Sequence, residues 1–172
     1  MTISFPLHSP RLVIRRFIPQ DLPAYLDFML DEESTRYLVF EDEQKTKQGA
    51  TELFDFVLSS YDSDNVIHAY AIALAESDEY VGSCGFSPYE PQIVECYYSI
   101  NAPYRRRGYA LEAMTALFEA LRSSGELSEI RAYSSEENIA SLHLAQKLGM
   151  DDRGIATHAH SGLTGRLYSF IL

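Results

Sequence analysis

The chain has 172 residues, 46% apolar and 23% charged, which suits a single domain over residues 1–172 with a sizeable core. Its formal net charge of −11 is concentrated in Asp31-Glu32-Glu33, Glu41-Asp42-Glu43, Glu76 with Asp78-Glu79, and Glu136-Glu137. Most of this is solvated surface, but the surplus repels a phosphate backbone and argues against nucleic acid, while it suits a cationic partner such as an amine.

Residues 11–17 alternate in polarity and predict a first strand. Asp21 is placed to cap the helix that follows, with Pro23 early in it and Leu22, Tyr25, Leu26, Met29 and Leu30 at helical spacing. A second helix is expected over residues 45–60, with Leu53, Phe56 and Val57 on one side. Residues 67–75 and 80–89 read as strands joined into a hairpin by Glu76-Ser77-Asp78-Glu79, and residues 93–100 as the next strand. Cys84 and Cys96 fall inside these strands without zinc-type spacing, so reduced core thiols are expected, with no metal site and no disulfide scaffold.

Residues 110–122 predict an amphipathic helix with Leu111, Met114, Leu117, Phe118 and Leu121 on one stripe, ended by Ser123-Ser124-Gly125. A short strand follows at 129–133. Ser134 and Glu137 have capping-box spacing for a last helix, whose apolar side is Ile139, Leu142, Ala145 and Leu148 and whose end is marked by Gly149. Residues 155–160 and 166–172 close the chain as two strands. No apolar run approaches the ~18 residues that span a bilayer, and no leader pattern opens the chain, so no membrane partner and a cytoplasmic location are expected. Hairpins mixed with crossover helices predict an α/β (α+β) fold, a mixed sheet with helices on both faces.

The most informative stretch is Arg105-Arg106-Arg107-Gly108-Tyr109-Ala110, between the strand at 93–100 and the helix at 110–122. A strand, a basic glycine-containing turn and a helix N-terminus form a phosphate-binding arrangement. The first helical N–H groups have no intrahelical partner and carry the positive end of the dipole. Gly108 lets the main chain approach an anion without a Cβ in the way.

This hexapeptide matches the Arg/Gln-x-x-Gly-x-Gly/Ala signature of the GNAT N-acetyltransferases. Asn138-Ile139-Ala140-Ser141 and Lys147-Leu148-Gly149-Met150 resemble the family's second coenzyme A segment. Ser9-Pro10-Arg11-Leu12-Val13-Ile14-Arg15 with Asp21, Val81-Gly82, and Glu95-Cys96-Tyr97-Tyr98 are similar to the RimJ/RimL-like branch, which acetylates the N-termini of ribosomal proteins. The resemblance runs from about residue 9 to the end.

The resemblance implies a mostly antiparallel sheet splayed between two parallel central strands, here 93–100 and 129–133, with acetyl-CoA wedged between them. It implies that main-chain N–H groups of Arg105, Arg106, Arg107, Gly108, Tyr109 and Ala110 hold the pyrophosphate. Tyr98, Ser99 and Ile100 would pair through their backbone with the pantetheine arm, and Asn138 would bond the coenzyme near its thiol. The tyrosine that protonates the thiolate in many relatives falls at Ala145, so that acid is absent, and the C-terminal hairpin is short at Gly162-Leu163-Thr164-Gly165.

The implied reaction is direct attack of a primary amine on the thioester. A peptide α-amine has a pKa of about 7.7–8.0 and a lysine about 10.4, so a lysine needs far more help to become neutral. Glu95 is the candidate base, weighed equally against an exposed or structural strand carboxylate. Ser141, one turn after Asn138, is the candidate acid or orienting group near the thiol, against an ordinary polar residue of a first helical turn. The three arginine side chains face phosphates or solvent, the 3′-phosphate being a natural partner for one. His158 and His160 read as surface or substrate-edge residues on one strand face rather than metal ligands. Tyr97 and Tyr98 read as core residues, one of them facing the cleft.

The expected acceptor is a protein N-terminal α-amine or a small amine. The rivals are acetylation of a polyamine, amino acid or antibiotic, and a non-catalytic acyl-CoA sensor. Open sheet edges near the C-terminal hairpin offer a surface for a homodimer.

Overall fold

The computed structural model describes residues 3–172. In chain order the elements are β1 (Leu7–His8), β2 (Leu12–Arg15), α1 (Leu22–Met29), α2 (Glu32–Thr35), α3 (Lys47–Ser60), β3 (Ala69–Leu74), β4 (Tyr80–Glu90), β5 (Ile93–Ile100), α4 (Tyr109–Ser123), β6 (Glu129–Ser134), α5 (Ile139–Lys147), β7 (Asp151–Thr157) and β8 (Thr164–Ile171). The strands form one sheet in the order β1-β2-β3-β4-β5-β6-β8-β7. Every neighbouring pair is antiparallel except β5 and β6.

That parallel pair is short. It holds Ile93 to Glu129, Val94 to Ile130 and Glu95 to Arg131, and no more. Beyond Glu95, β5 continues against β4 as far as Ile100, while β6 continues against β8 as far as Ser134. The two halves of the sheet therefore part at Glu95 and leave a wedge whose β5 side has no strand partner.

The core is built from Leu12, Ile14, Ile72, Val81, Val94 and Ile130 of the sheet with Met114, Leu117 and Leu121 of α4 and Phe54 of α3, all essentially inaccessible. Cys84 and Cys96 are buried free thiols, and burial pushes the Cys96 thiol up to about 12. No helix among the described residues is long and apolar enough to cross a membrane.

Several sequence-based expectations shift. The buried side of α3 is Ala50, Phe54 and Val57, and Phe56 is 62% exposed. Asp21 does not cap α1. Its buried carboxylate accepts from Arg15 at 2.8 and 3.0 Å and from the Ile18 N–H at 2.9 Å. Ser134 stays extended because it pairs with Arg166 of β8, so α5 starts later and Asn138 caps it. β7 ends at Thr157, which puts His158 and His160 in the hairpin connection rather than on a strand face.

Gly85 of β4 leaves room for its in-sheet neighbours, the chain entering β3 on one side and Tyr97 of β5 on the other. A Cβ there would lie 2.0 Å from the His68 carbonyl oxygen and 2.7 Å from Cε1 of Tyr97. Backbone cannot give way as a flexible side chain can. Gly85→Ala is therefore expected to lower stability by about 1–3 kcal/mol, read as an earlier denaturation midpoint; an unchanged midpoint would contradict this packing.

Candidate active site

The β5–α4 connection begins where β5 ends. Asn101 is buried and donates its amide to the Ala24 carbonyl at 2.7 Å, anchoring the strand end to α1. A single 3₁₀ turn, Ala102–Tyr104, follows. The chain then takes left-handed backbone at Arg106 (φ 62) and Gly108 (φ 81), and α4 starts at Tyr109. The Arg105 N–H already donates to the Ala102 carbonyl at 3.3 Å. Among the described residues no acceptor is found for the N–H groups of Arg106, Arg107, Gly108, Tyr109 and Ala110. A cluster of unpartnered amides at a helix start is an anion site in waiting.

The arginine side chains divide the work. Arg105 turns back, its Nε donating to the Ile100 carbonyl at 3.1 Å and Nη2 to Ser34 Oγ of α2 at 2.7 Å. Arg107 donates to the Pro103 carbonyl at 3.0 Å and lies over the Tyr104 ring. Both brace the turn. Arg106 is exposed and, among the described residues, has no partner, so its charge is available to a ligand phosphate.

A second brace lies far off in sequence. Glu112, in the first turn of α4, accepts from Ser9 Oγ at 2.7 Å, from the Arg11 N–H at 2.8 Å and from Arg11 Nε at 2.7 Å. Arg11 also donates to the Arg107 carbonyl at 3.0 Å and sits over the Tyr109 ring. Sequence reasoning placed Ser9 and Arg11 in a family motif but did not link them to this turn, and with 101 positions between Arg11 and Glu112 no local pattern signals the pair.

Burial alone pushes the Glu112 carboxyl up, but its bonds to Ser9 and Arg11 outweigh that and hold it below the usual 4.5. The folded value is thus lower than the unfolded one. The stability this carboxylate contributes is present above the ordinary glutamate range and is lost as pH falls through the folded value. Glu112→Gln is expected to cost about 1–3 kcal/mol at neutral pH, with the gap to the parent protein closing in acid; thermal melts across pH check it, and a constant gap would refute it.

α2 and the two residues after it bridge the β5–α4 connection and the segment ahead of α5. On one side Ser34 receives Arg105. On the other, Arg36 pairs with Glu137 at 3.7 Å and the Tyr37 hydroxyl donates to the Glu137 carbonyl at 3.4 Å, just ahead of α5.

Tyr98, Ser99 and Ile100 lie on the part of β5 that no longer meets β6. Ser99 Oγ is buried against Ser83 Oγ at 2.9 Å. The half-buried Tyr98 reaches Ser141 of α5; burial raises its phenol and the Ser141 hydroxyl partly offsets the rise. Asn138 and Ser141 meet each other directly, because Asn138 Oδ1 accepts from the Ser141 N–H at 3.2 Å. That oxygen is spent on capping α5, which leaves the Asn138 amide nitrogen for a ligand. Ala145 is buried and supplies no acid.

Glu95 closes the last parallel pair, at the root of the wedge. Its side chain is 25% exposed and its Oε2 lies 2.8 Å from Nε2 of His158, itself 13% exposed. His158 packs edge-on against Tyr133 of β6 (4.7 Å between centroids) and Tyr89 of β4 (5.2 Å). The hydroxyls of Tyr89 and Tyr133 are 3.1 Å apart. Burial, with the Tyr89 contact, pushes the Tyr133 phenol up to about 12, so it is neutral at physiological pH. Tyr97, two residues beyond Glu95, is 39% exposed. The sequence suggests His158 as a surface or substrate-edge residue and singles out neither Tyr89 nor Tyr133; the separation of 63 positions between Glu95 and His158 hides their pairing.

A cavity of about 790 Å³ lies across the β5–α4 connection, between α1 and the β3–β4 turn, with Asp27, Asp31, Asp78 and Glu79 among its walls.

Comparison with known proteins gives one picture. The family model described as "Acetyltransferase (GNAT) domain" matches residues 11–151. The uncharacterized N-acetyltransferase p20 of Bacillus licheniformis is 25% identical over 154 residues, covering 87% of this chain and 84% of that protein. The crystal structure of a GNAT-family acetyltransferase from Bacillus anthracis superposes with a TM-score of 0.81 at 22% identity, over 97% of this chain and 98% of that one. RimL, the ribosomal L7/L12 alpha-N-protein acetyltransferase, solved in complex with coenzyme A, gives 0.76 at 16% identity, over 95% and 96%.

Proposed function

Because the chain belongs to the GNAT acetyltransferase family and is an N-acetyltransferase, we propose that as a single cytoplasmic domain it transfers the acetyl group of acetyl-CoA to a protein N-terminal α-amine. The observation that carries this reading is the early end of β5–β6 pairing at Glu95, beside a helix N-terminus with unpartnered amides. The opening is where an extended thioester arm can add as a strand, and the amides are where its diphosphate can end.

The residues divide into binding and chemistry. The N–H groups of Arg106, Arg107, Gly108, Tyr109 and Ala110 hold the pyrophosphate, while Arg105 supports the turn and Arg106 meets the 3′-phosphate. The free edge at Tyr98, Ser99 and Ile100 pairs with the pantetheine arm, and the Asn138 amide nitrogen donates near its end. The bound substrate supplies an activated carbonyl. Glu95 takes a proton from the acceptor ammonium and releases it to solvent. The neutral nitrogen then bonds to the carbonyl carbon and the C–S bond breaks. The nitrogen sheds its second proton to the Glu95 carboxylate as the amide forms, the Ser141 hydroxyl, oriented by Tyr98, passes its proton to the sulfur, and solvent carries the proton from Glu95 back to the Ser141 oxygen. A thiol with a pKa near ~8.5 is a leaving group good enough to manage without the family's tyrosine.

A protein α-amine is favoured because RimL, whose fold this chain shares, acts on one. A small polyamine is the second reading, favoured by the net charge of −11. A thiol-release screen with free N-terminal peptides, N-blocked lysine peptides, polyamines and amino acids separates them. Turnover is expected with free N-termini and not with blocked lysine peptides; preference for polyamines selects the second reading, and no thiol release from any amine overturns both.

A further inference from the structure

We propose that His158 is a positioning residue for Glu95: its Nε2–H holds one carboxylate oxygen so that the other is aimed at the acceptor amine. This rests on the reading of Glu95 as the base.

The tautomer follows from the loop. His158 Nδ1 faces two main-chain donors, the N–H groups of His160 at 3.2 Å and Ser161 at 3.0 Å. A ring nitrogen that accepts from two N–H groups carries no hydrogen of its own, which assigns the imidazole hydrogen to Nε2. Nε2 lies 2.8 Å from Glu95 Oε2, so the bond is an N–H donating to a carboxylate, the strong charge-assisted kind. No donor among the described residues takes Oε1. One oxygen is tethered and one is free.

The loop that holds the histidine is itself anchored to the sheet. The Ala159 N–H donates to the Tyr89 hydroxyl and His160 Nε2 to the Tyr89 carbonyl, each at 3.1 Å. Tyr133 and Tyr89 stand edge-on to the His158 ring and block its rotation. A chain of fixed contacts thus runs from β4 through residues 158–161 to the Glu95 carboxylate. In the reaction the N–H bond of the acceptor ammonium breaks and an O–H bond forms at Oε1. His158 keeps its hydrogen throughout, because the two donors on Nδ1 leave no lone pair there for an incoming proton. The short C-terminal hairpin is thereby given a task in catalysis.

The test compares variants and reads the ring directly. His158→Ala is expected to lower kcat about tenfold to a hundredfold, the range of a hydrogen bond to a charged group, with the KM for acetyl-CoA unchanged. His158→Gln, which keeps an N–H donor at similar reach, is expected to restore most of the loss. Combined with Glu95→Gln, His158→Ala should add nothing further, since both act through one carboxylate. In ¹⁵N NMR of the parent protein, His158 should show a bare Nδ1 and a protonated Nε2.

Full turnover by His158→Ala while Glu95→Gln is inactive would overturn the positioning role and leave the base standing. Full turnover by Glu95→Gln would overturn both. Should His158→Ala loosen the hairpin, the parent protein's ring still decides, because a hydrogen on Nδ1 refutes the proposal.

Discussion

Replacing Gly108 by valine is expected to weaken acetyl-CoA binding at least a hundredfold while the chain still folds. Gly108 sits at φ 81 as the residue before α4, a left-handed conformation in which a β-branched side chain clashes with its own backbone. A Cβ there would also touch Nη2 of Arg11 at 3.4 Å, on the guanidinium whose Nη1 ties the turn to the segment just ahead of β2. The chain escapes by abandoning the left-handed residue, which rotates the neighbouring N–H groups away from a common focus. Two charge-assisted hydrogen bonds to a diphosphate are together worth about 3 kcal/mol or more, hence the hundredfold. Gly108→Ala should show a milder loss, since one Cβ at positive φ costs roughly 1–2 kcal/mol. Calorimetric titration gives both affinities and circular dichroism checks the fold. Parental affinity in the valine variant would mean that the diphosphate does not sit on this turn.

The Glu95→Gln variant is expected to lose a factor of about 10²–10⁴ in kcat, the usual contribution of a positioned base, with acetyl-CoA affinity unchanged because the coenzyme contacts lie elsewhere. Glutamine matches the shape and still accepts from His158 Nε2, so packing at the wedge root survives. What it removes is the capacity to take a proton. The residual rate should then follow the amount of acceptor already neutral in solution, rising about tenfold per pH unit until the amine's own pKa near 7.7–8.0 is passed. For a lysine side chain that rise would continue to about 10.4. Kinetics with an N-terminal peptide between pH 6 and 9 distinguish this from a structural role, for which the variant would keep the parental profile.

What could be read from the sequence was what local chemistry determines. The strand at Ile93–Ile100 follows from its aromatic, strand-like run and the helix over 110–122 from apolar spacing and one glycine; the structure has the strand at those bounds and opens the helix one residue earlier, at Tyr109. α3 was located but turned by one position: Phe54 and Phe56 both fit an apolar stripe, and only packing against the sheet chooses Phe54. Ser134 and Asn138 are both good caps, and the choice fell to Asn138 because β8 holds Ser134 in the ladder. β1 has two residues and α2 four, too short for a period to show. Within the site, Gly108 and the free amides were visible because a helix start is local. Arg11 with Glu112 and Glu95 with His158 were not, because folding alone brings such distant segments together.

The short helix α2 is moored to both banks of the sheet's opening, at Arg105 on one and Glu137 on the other. Neither bank can shift outward without pulling on residues 31–37. Residues 31–37 therefore act as a tie beam between the β5–α4 connection and the start of α5, holding the two halves of the sheet at a set separation.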